Sequence, residues 1–544
     1  TNRTAATIDL VKDVLVASAD FSIYYNQTER RQAVNSYTFY TSPTNSAQRP
    51  AGSLYEERSY NRNRLAGNAT LTYTPKLGKN NSLTVLAGWN IEDYQYKTNL
   101  INREGIMIAD RPNFDLLNGE ALTIADNGSS SSALVGAFYR ISYSYKSKYL
   151  IETSGRYDGN SKFPSNQRWG FFPSASIGWR ISEEGFLKDA DWLDNLKIRV
   201  SAGTAGNGLI SNAYAYISKM GISQSSVLNN GAVFNYTSAP VPIPNSLTWE
   251  KATTYDAGLD FEAFNGRLNF SGDIYRKATT DMYVTGDELP AVYGNSAPKG
   301  NYADMNTDGW EFSISWRDSY KVGGKILSYN IKASVWDYVS KIPRYTSKTN
   351  TLPTNYAVHY YEGMTLGELW GYKCTGLFQS DEEAQTHANY AKFNGDNVVW
   401  SAGDPKFEDL NGDGYVNNGN NTLGNHGDLI KIGNTNPRYQ YSIQGGINWN
   451  GIGLSMMWQG VGKRDWYPAK ESGYFWGQYG RPYSMALPWH TSDRWSETNR
   501  DAYWPRLVGY QASGAQRILS QPNTRYLQSA RYIRMKNLTL DYSF

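Results

Sequence analysis

Three groups of side chains in this sequence carry chemical potential. The first is Asp409, Asn411 and Asp413, followed by Gly414, Tyr415, Val416 and Asn417. These match the opening positions of a calcium loop: oxygen ligands at 1, 3 and 5, a glycine at 6 for the sharp turn, the Tyr415 carbonyl at 7 and an apolar residue at 8. Position 12 is Asn420 rather than a bidentate glutamate, so the expectation is a structural Ca2+ in the loop 409–420, not an EF-hand. The same residue types also build a metal-free turn through side-chain-to-backbone hydrogen bonds. The second group is aromatic: Tyr360, Tyr361, Trp370, Tyr372 and Trp400, then Trp466, Tyr467, Tyr474, Trp476, Tyr479 and Trp489. Flat rings with polar edges stack on sugar faces or grip peptide side chains, which makes Tyr361, Trp370, Trp400, Trp466 and Trp476 the candidate ligand contacts. The competing role is a small core that keeps long loops ordered.

The third group is catalytic in type but not in arrangement. His359, His387, His426 and His490 have no paired metal spacing, and neither H-E-x-x-H nor G-x-S-x-G occurs. The acids Asp381 to Glu383 read as the solvated start of a short helix, and Gly460 to Lys463 lacks the P-loop spacing. No catalytic residue is expected, and an enzyme is not the reading.

Composition narrows the class. The 544 residues carry 53 Lys+Arg against 50 Asp+Glu, a formal charge of +3, which offers no basic field for nucleic acid. With 14% aromatics, including 43 tyrosines and 17 tryptophans, disorder is excluded. A lone cysteine, Cys374, excludes an internal disulfide or a cysteine-rich metal site. No run of about 18 apolar residues exists to form a membrane helix, which leaves a membrane β-barrel open.

Period-two alternation dominates the chain and predicts about fifteen strands. The clearest hairpins run through Tyr255–Phe261 and Leu268–Ile274 around Asn265-Gly266, and through Tyr441–Trp449 and Ile452–Trp458 around Asn450-Gly451. A third pairs 135–145 with 149–153. Short connections (near 10–14, 74–81, 146–148, 183–194, 264–266, 320–324 and 450–451) alternate with long ones (26–56, 98–132, 159–169, 204–247, 287–304, 341–434 and 461–529). A meander trimmed at one end and loop-rich at the other is how outer-membrane barrels are built. One face is small or polar (Ser174, Ser176, Gly178, Arg180; Lys197, Arg199, Ser201, Gly203), while Ala175, Ile177, Trp179 and Leu196, Ile198, Val200 line the other. The fold class expected is all-β, a large antiparallel transmembrane β-barrel. The alternative is a secreted all-β carbohydrate-binding or adhesion sandwich without transport activity.

Five segments then resemble one family, the SusC/RagA group of TonB-dependent outer-membrane transporters. They are 193–207, ending in G-x-x-G-N; 247–260, with its Trp-Glu pair; 403–414, reading G-D-P-K-F-E-D-L-N-G-D-G; 432–438, I-G-N-T-N-P-R; and 532–540, Y-I-R-M-K-N-L-T-L. The resemblance implies a barrel of about 22 strands, of which residues 1–544 form part, with the plug and first strands absent and 341–434 and 461–529 as long extracellular loops. It also implies import of oligosaccharides or peptides, a SusD-like lipoprotein lid, energy delivered by TonB through the plug, and outer-membrane lipid around the wall.

Overall fold

The computed structural model describes residues 1–49, 52–119, 121–208, 210, 212–229, 231–244, 246–286, 289–290, 292, 294–346, 350–353, 359–388, 400–469, 472–479, 484–507 and 522–544. They form two compact units, residues 1–179 with 201–251 and residues 180–200 with 252–544. Fifteen long strands carry the architecture, each antiparallel to its neighbour in sequence order.

In the first unit the meander runs Asn2–Val11, Leu15–Val34, Leu54–Tyr73, Asn81–Glu104, Ala121–Tyr145, Tyr149–Asn160 and Trp169–Arg180. Its register sorts the residues into rows. Phe21, Gly67, Ile91 and Val135 stand side by side across four strands, and the next row is Asp20, Asn68, Asn90, Gly136 and Asp158. The polar row is internally bonded: Asn68 Nδ2 donates to Asp20 Oδ1 at 3.3 Å, and Arg156 donates to Asn90 Oδ1 and Asp158 Oδ1, both at 2.8 Å. The apolar row is open, as are Ile151, Phe171 and Ile177, the last 62% exposed. Successive side chains point to opposite faces, so one alternating sequence builds a hydrated face and an apolar one.

The second unit repeats this with Leu268–Thr285, Lys299–Val322, Lys325–Tyr345, Arg438–Trp449, Ile452–Lys463 and Tyr532–Tyr542. On its polar face Arg199 Nη2 donates to Asp273 Oδ2 at 2.7 Å and Arg199 Nε to Asp260 Oδ2 at 3.2 Å. The short turns follow the glycine chemistry. Asn450 and Gly451 both take positive φ between Trp449 and Ile452, as a two-residue hairpin demands. At Asn265-Gly266 the turn is wider than expected, because Phe264 also takes a positive φ of 60°.

Strands reach much further than alternation suggests. The expected loop 98–132 is largely the paired ends of Asn81–Glu104 and Ala121–Tyr145, and two expected loops contain small hairpins, Tyr37–Ser42 with Asn45–Arg49 and Ile222–Asn229 with Ala232–Thr237. Here buried and exposed residues mix, with Thr98 and Leu100 buried beside the exposed Ile101, so the backbone ladder continues without a regular alternation to mark it.

Candidate functional site

The two longest connections, 346–437 and 464–531, hold the largest aromatic cores of the second unit. In the first, Leu352, Tyr361, Met364, Trp370, Tyr372, Phe378, Phe407, Val416 and Leu429 pack together, with Trp400 half-buried against them. In the second, Tyr467, Trp476, Tyr479, Trp504 and Tyr526 form the core. Trp504 is its hub: it stacks on Tyr479 and Tyr526, each with centroids 5.6 Å away, and meets Trp476 and His490 edge-on.

Buried polar groups tie each loop to itself and to the other. Glu368 accepts hydrogen bonds from the Tyr361 hydroxyl and from Lys431 Nζ, the latter at 2.9 Å. Burial alone would raise the Glu368 pKa, but these two donors and the Thr365 amide outweigh it and hold the carboxyl below its usual range. Arg506 grips Asp404 through two bonds of 2.8 and 2.9 Å, and Asn523 Nδ2 donates to the Tyr467 hydroxyl at 3.0 Å. The Tyr372 amide donates to Pro522 O, and the Thr524 amide returns a bond to Tyr372 O. His490 is fully buried: its Nδ1 accepts the Leu487 amide and its Nε2 meets Phe475 O at 2.7 Å, while burial pushes its pKa down.

The 409–417 segment is a set of side-chain-stapled turns. Asp409 accepts the Gly412 and Gly414 amides at 2.8 and 2.9 Å, Asn411 Oδ1 accepts the Asp413 amide, and Asp413 Oδ1 accepts the Tyr415 amide. Val416 is buried in the first loop core and the Asn417 amide donates to Asp428. Asp428, wholly buried, also accepts the Leu410 and Asn411 amides. Among the described residues no three His, Cys, Asp or Glu side chains converge on a point. Every side-chain oxygen of Asp409, Asn411, Asp413 and Asn417 accepts an N–H from a neighbouring residue of the same loop.

The five candidate rings therefore divide. Tyr361, Trp370 and Trp476 lie inside the loop cores, Trp400 lies against one, and Trp466 is 47% exposed. The open rings of the aromatic group are Trp466, Tyr474 and Trp489, the last two with centroids 4.9 Å apart, and Tyr415 is also exposed. Asp381–Thr386 is the expected short helix, its Glu383 amide capped by Ser380 and its Glu383 carboxylate paired with Lys406 at 2.7 Å. Sequence reading missed Asp428, Glu368, Trp504 and Asn523. Nothing in their spacing marks them: Asp428, Trp504 and Asn523 act on groups distant along the chain, and Glu368 joins the nearby Tyr361 and Thr365 to the distant Lys431.

The family-like segments turn out to be anchors. Trp249 is buried between Phe163 and Phe172 and donates through Nε1 to Arg168 O, while Asn207 Nδ2 donates to Glu250 at 2.7 Å. Asn434 and Asn436 donate to Leu366 O, and Arg438 clasps the buried Asp337 at 2.6 and 2.7 Å where the first long loop rejoins its strand.

A family model described as TonB dependent receptor-like, beta-barrel, matches residues 2–542. TonB-dependent receptor P39 of Formosa agariphila is 27% identical over 512 residues, covering 87% of this chain and 46% of its own length. TonB-dependent receptor SusC of Bacteroides thetaiotaomicron is 30% identical over 336 residues, 51% of this chain and 33% of its own. The solved RagAB peptide transporter superposes with a TM-score of 0.73 at 19% identity, over 99% of this chain and 54% of that one. The chain spans about half the length of the curated relatives it matches.

Proposed function

This chain belongs to the TonB-dependent receptor β-barrel family, and on that premise we propose that it is of the SusC/RagA type and supplies the wall, lumen face and outer loops of an active nutrient importer. It is an outer-membrane β-barrel chain, and its family is one of receptors and transporters. The cargo proposed is an oligosaccharide or a peptide, held beneath a SusD-like surface lipoprotein that closes over the long loops. TonB would act from the opposite side, through a plug domain, and draw on the inner-membrane proton gradient.

The observation that carries this reading is the pairing of two faces across the strand wall. Open apolar rows such as Phe21–Gly67–Ile91–Val135 adjoin hydrogen-bonded polar rows such as Asp20–Asn68–Asn90. Apolar surface on that scale suits lipid and counts against a secreted sandwich. The loops contribute a packed platform, with Trp466, Tyr474 and Trp489 among the rings available to a ligand or a lid. The reading also includes a structural calcium ion in the loop 409–420, supported by the 1-3-5 spacing of Asp409, Asn411 and Asp413. Asp428 staples the same loop from within.

Heat-modifiability of the full-length protein, extracted in mild detergent, tests the proposal. A faster-migrating unboiled band that co-purifies with a lipoprotein is expected. Identical migration, with release from membranes without detergent, would overturn it.

A further inference from the structure

The outward face of the second unit is not level. Two rows cross it side by side: Phe270, Ile314, Ala333, Ile443, and Gly272, Phe312, Val335, Tyr441, Gly460. The second row ends on a glycine at each side, and each glycine is covered by its neighbour's ring. A Cβ on Gly272 would come within 2.7 Å of Phe312 Cδ1, and one on Gly460 would collide with Tyr441 Cζ. The two rings therefore lean in opposite directions, away from the strand Lys325–Tyr345 between them. Phe312 is held in that pose by stacking on Phe270 and Trp310, at 6.2 and 5.2 Å. What is left above the small Ala333 and the Val335 side chain is a trough of about 290 Å3 whose open lining is wholly apolar. The serines between these positions face the other way, where Ser334 Oγ donates to Ser313 Oγ at 3.3 Å.

The depth of the trough follows from the strand. Trp310 and Tyr320 lie ten residues apart on Lys299–Val322. Ten residues at ~3.3 Å each, tilted by about 40°, span roughly 25 Å, the height of the apolar band between aromatic girdles. Phe312 and Ile314 fall inside that span, so the trough opens into hydrocarbon and is continuous with the lipid-facing rows on either side. None of its open lining is polar, since the Tyr441 hydroxyl lies over Gly460, and a narrow channel between splayed rings suits a flexible chain better than a flat sheet face.

We propose that this trough is a binding site for one acyl chain of an outer-membrane lipid. The glycines at 272 and 460 create it by letting two rings fold outward, and Ala333 keeps its floor low. The test is native mass spectrometry of the full-length protein in mild detergent, titrated with phosphatidylethanolamine as the probe. Wild type should retain one phosphatidylethanolamine molecule under activation that strips the rest. Ala333→Phe, which fills the floor, should lose it. Gly460→Val, which pushes Tyr441 back over the trough, should lose it by a separate route. Ile177→Phe, on the apolar face of the first unit, should keep it. Heat-modifiable migration of each variant establishes that its barrel has formed, and Ala333→Leu replaces the phenylalanine variant if that one fails to assemble. Retention unchanged in both trough variants, or lost equally in Ile177→Phe, would overturn the proposal. So would dissociation of a dimer by Ala333→Phe with the lipid count unchanged, which would assign the face to a second copy of the chain.

Discussion

The strand wall and the two long loops of the second unit invert each other. On the wall the large apolar residues are outside, as with Ile274, 59% exposed, and the polar ones bond among themselves on the opposite face. In the loops the rings are inside and the backbone wraps them, with Trp476, Tyr361 and Phe407 almost fully buried. A water-solvated segment stays ordered only by burying its own apolar surface, whereas a strand with lipid on one side has no such need. The contrast teaches that aromatic richness has two meanings in this molecule. It marks the medium on the wall and internal packing in the loops.

The largest effect should come from the hub of the second loop core. Trp504→Ala should cost the loop about 3–5 kcal/mol, the usual penalty for emptying a large aromatic site. Limited proteolysis should then cut within 464–531, while heat-modifiable migration of the wall stays as in wild type. If the barrel fails with the loop, the two regions are not independent. Next is a pair on the wall. Ile91→Arg should destabilise the folded barrel by about 2–4 kcal/mol and Asn90→Arg much less, because only the first places a charge in lipid. Denaturant titration of detergent-folded protein measures both, and equal losses would erase the distinction between faces.

Smaller effects should stay inside the loops. Asp428→Ala removes the acceptor for the Leu410, Asn411 and Asn417 amides. A loss of about 1–3 kcal/mol is expected, read as faster hydrogen exchange at those amides only. The loop at His490 should weaken in acid. Its native pKa lies below the ordinary 6.5, so the unfolded loop binds the extra proton, and stability is full above 6.5 and falls as pH drops below it. The slope can reach no more than about 1.4 kcal/mol per pH unit. Protease sensitivity near 472–492 should rise between pH 7.5 and 5.5 in wild type and flatten in His490→Gln. Finally, added calcium should slow cleavage at 409–417, and Asp413→Ala should abolish the response. No response in wild type would leave Asp428 as the staple.

Much of this was legible before the structure because physics wrote it locally. Ile177 and Ser176 differ in medium, so their alternation shows in the sequence, and Asn450-Gly451 announces its turn. The upper parts of Asn81–Glu104 and Ala121–Tyr145 were hidden because the serines at 129–132 carry no apolar-polar alternation to announce a strand. The loop cores were hidden for another reason. Asp428 meets Asn411, and Trp504 meets Tyr526, through folds of chain that no periodicity encodes, so the rings were visible as a group and their burial was not.

The alternation of media across one strand can be measured at two adjacent residues. With Cys374 replaced by serine, single cysteines at Ile177 and Ser176 would carry a nitroxide in full-length protein reconstituted into bilayers. Collision with oxygen, concentrated in hydrocarbon, should dominate at 177, and collision with a water-soluble nickel chelate should dominate at 176. Equal accessibility to the chelate at both positions, or the reverse order, would contradict a wall with lipid on one face and water on the other.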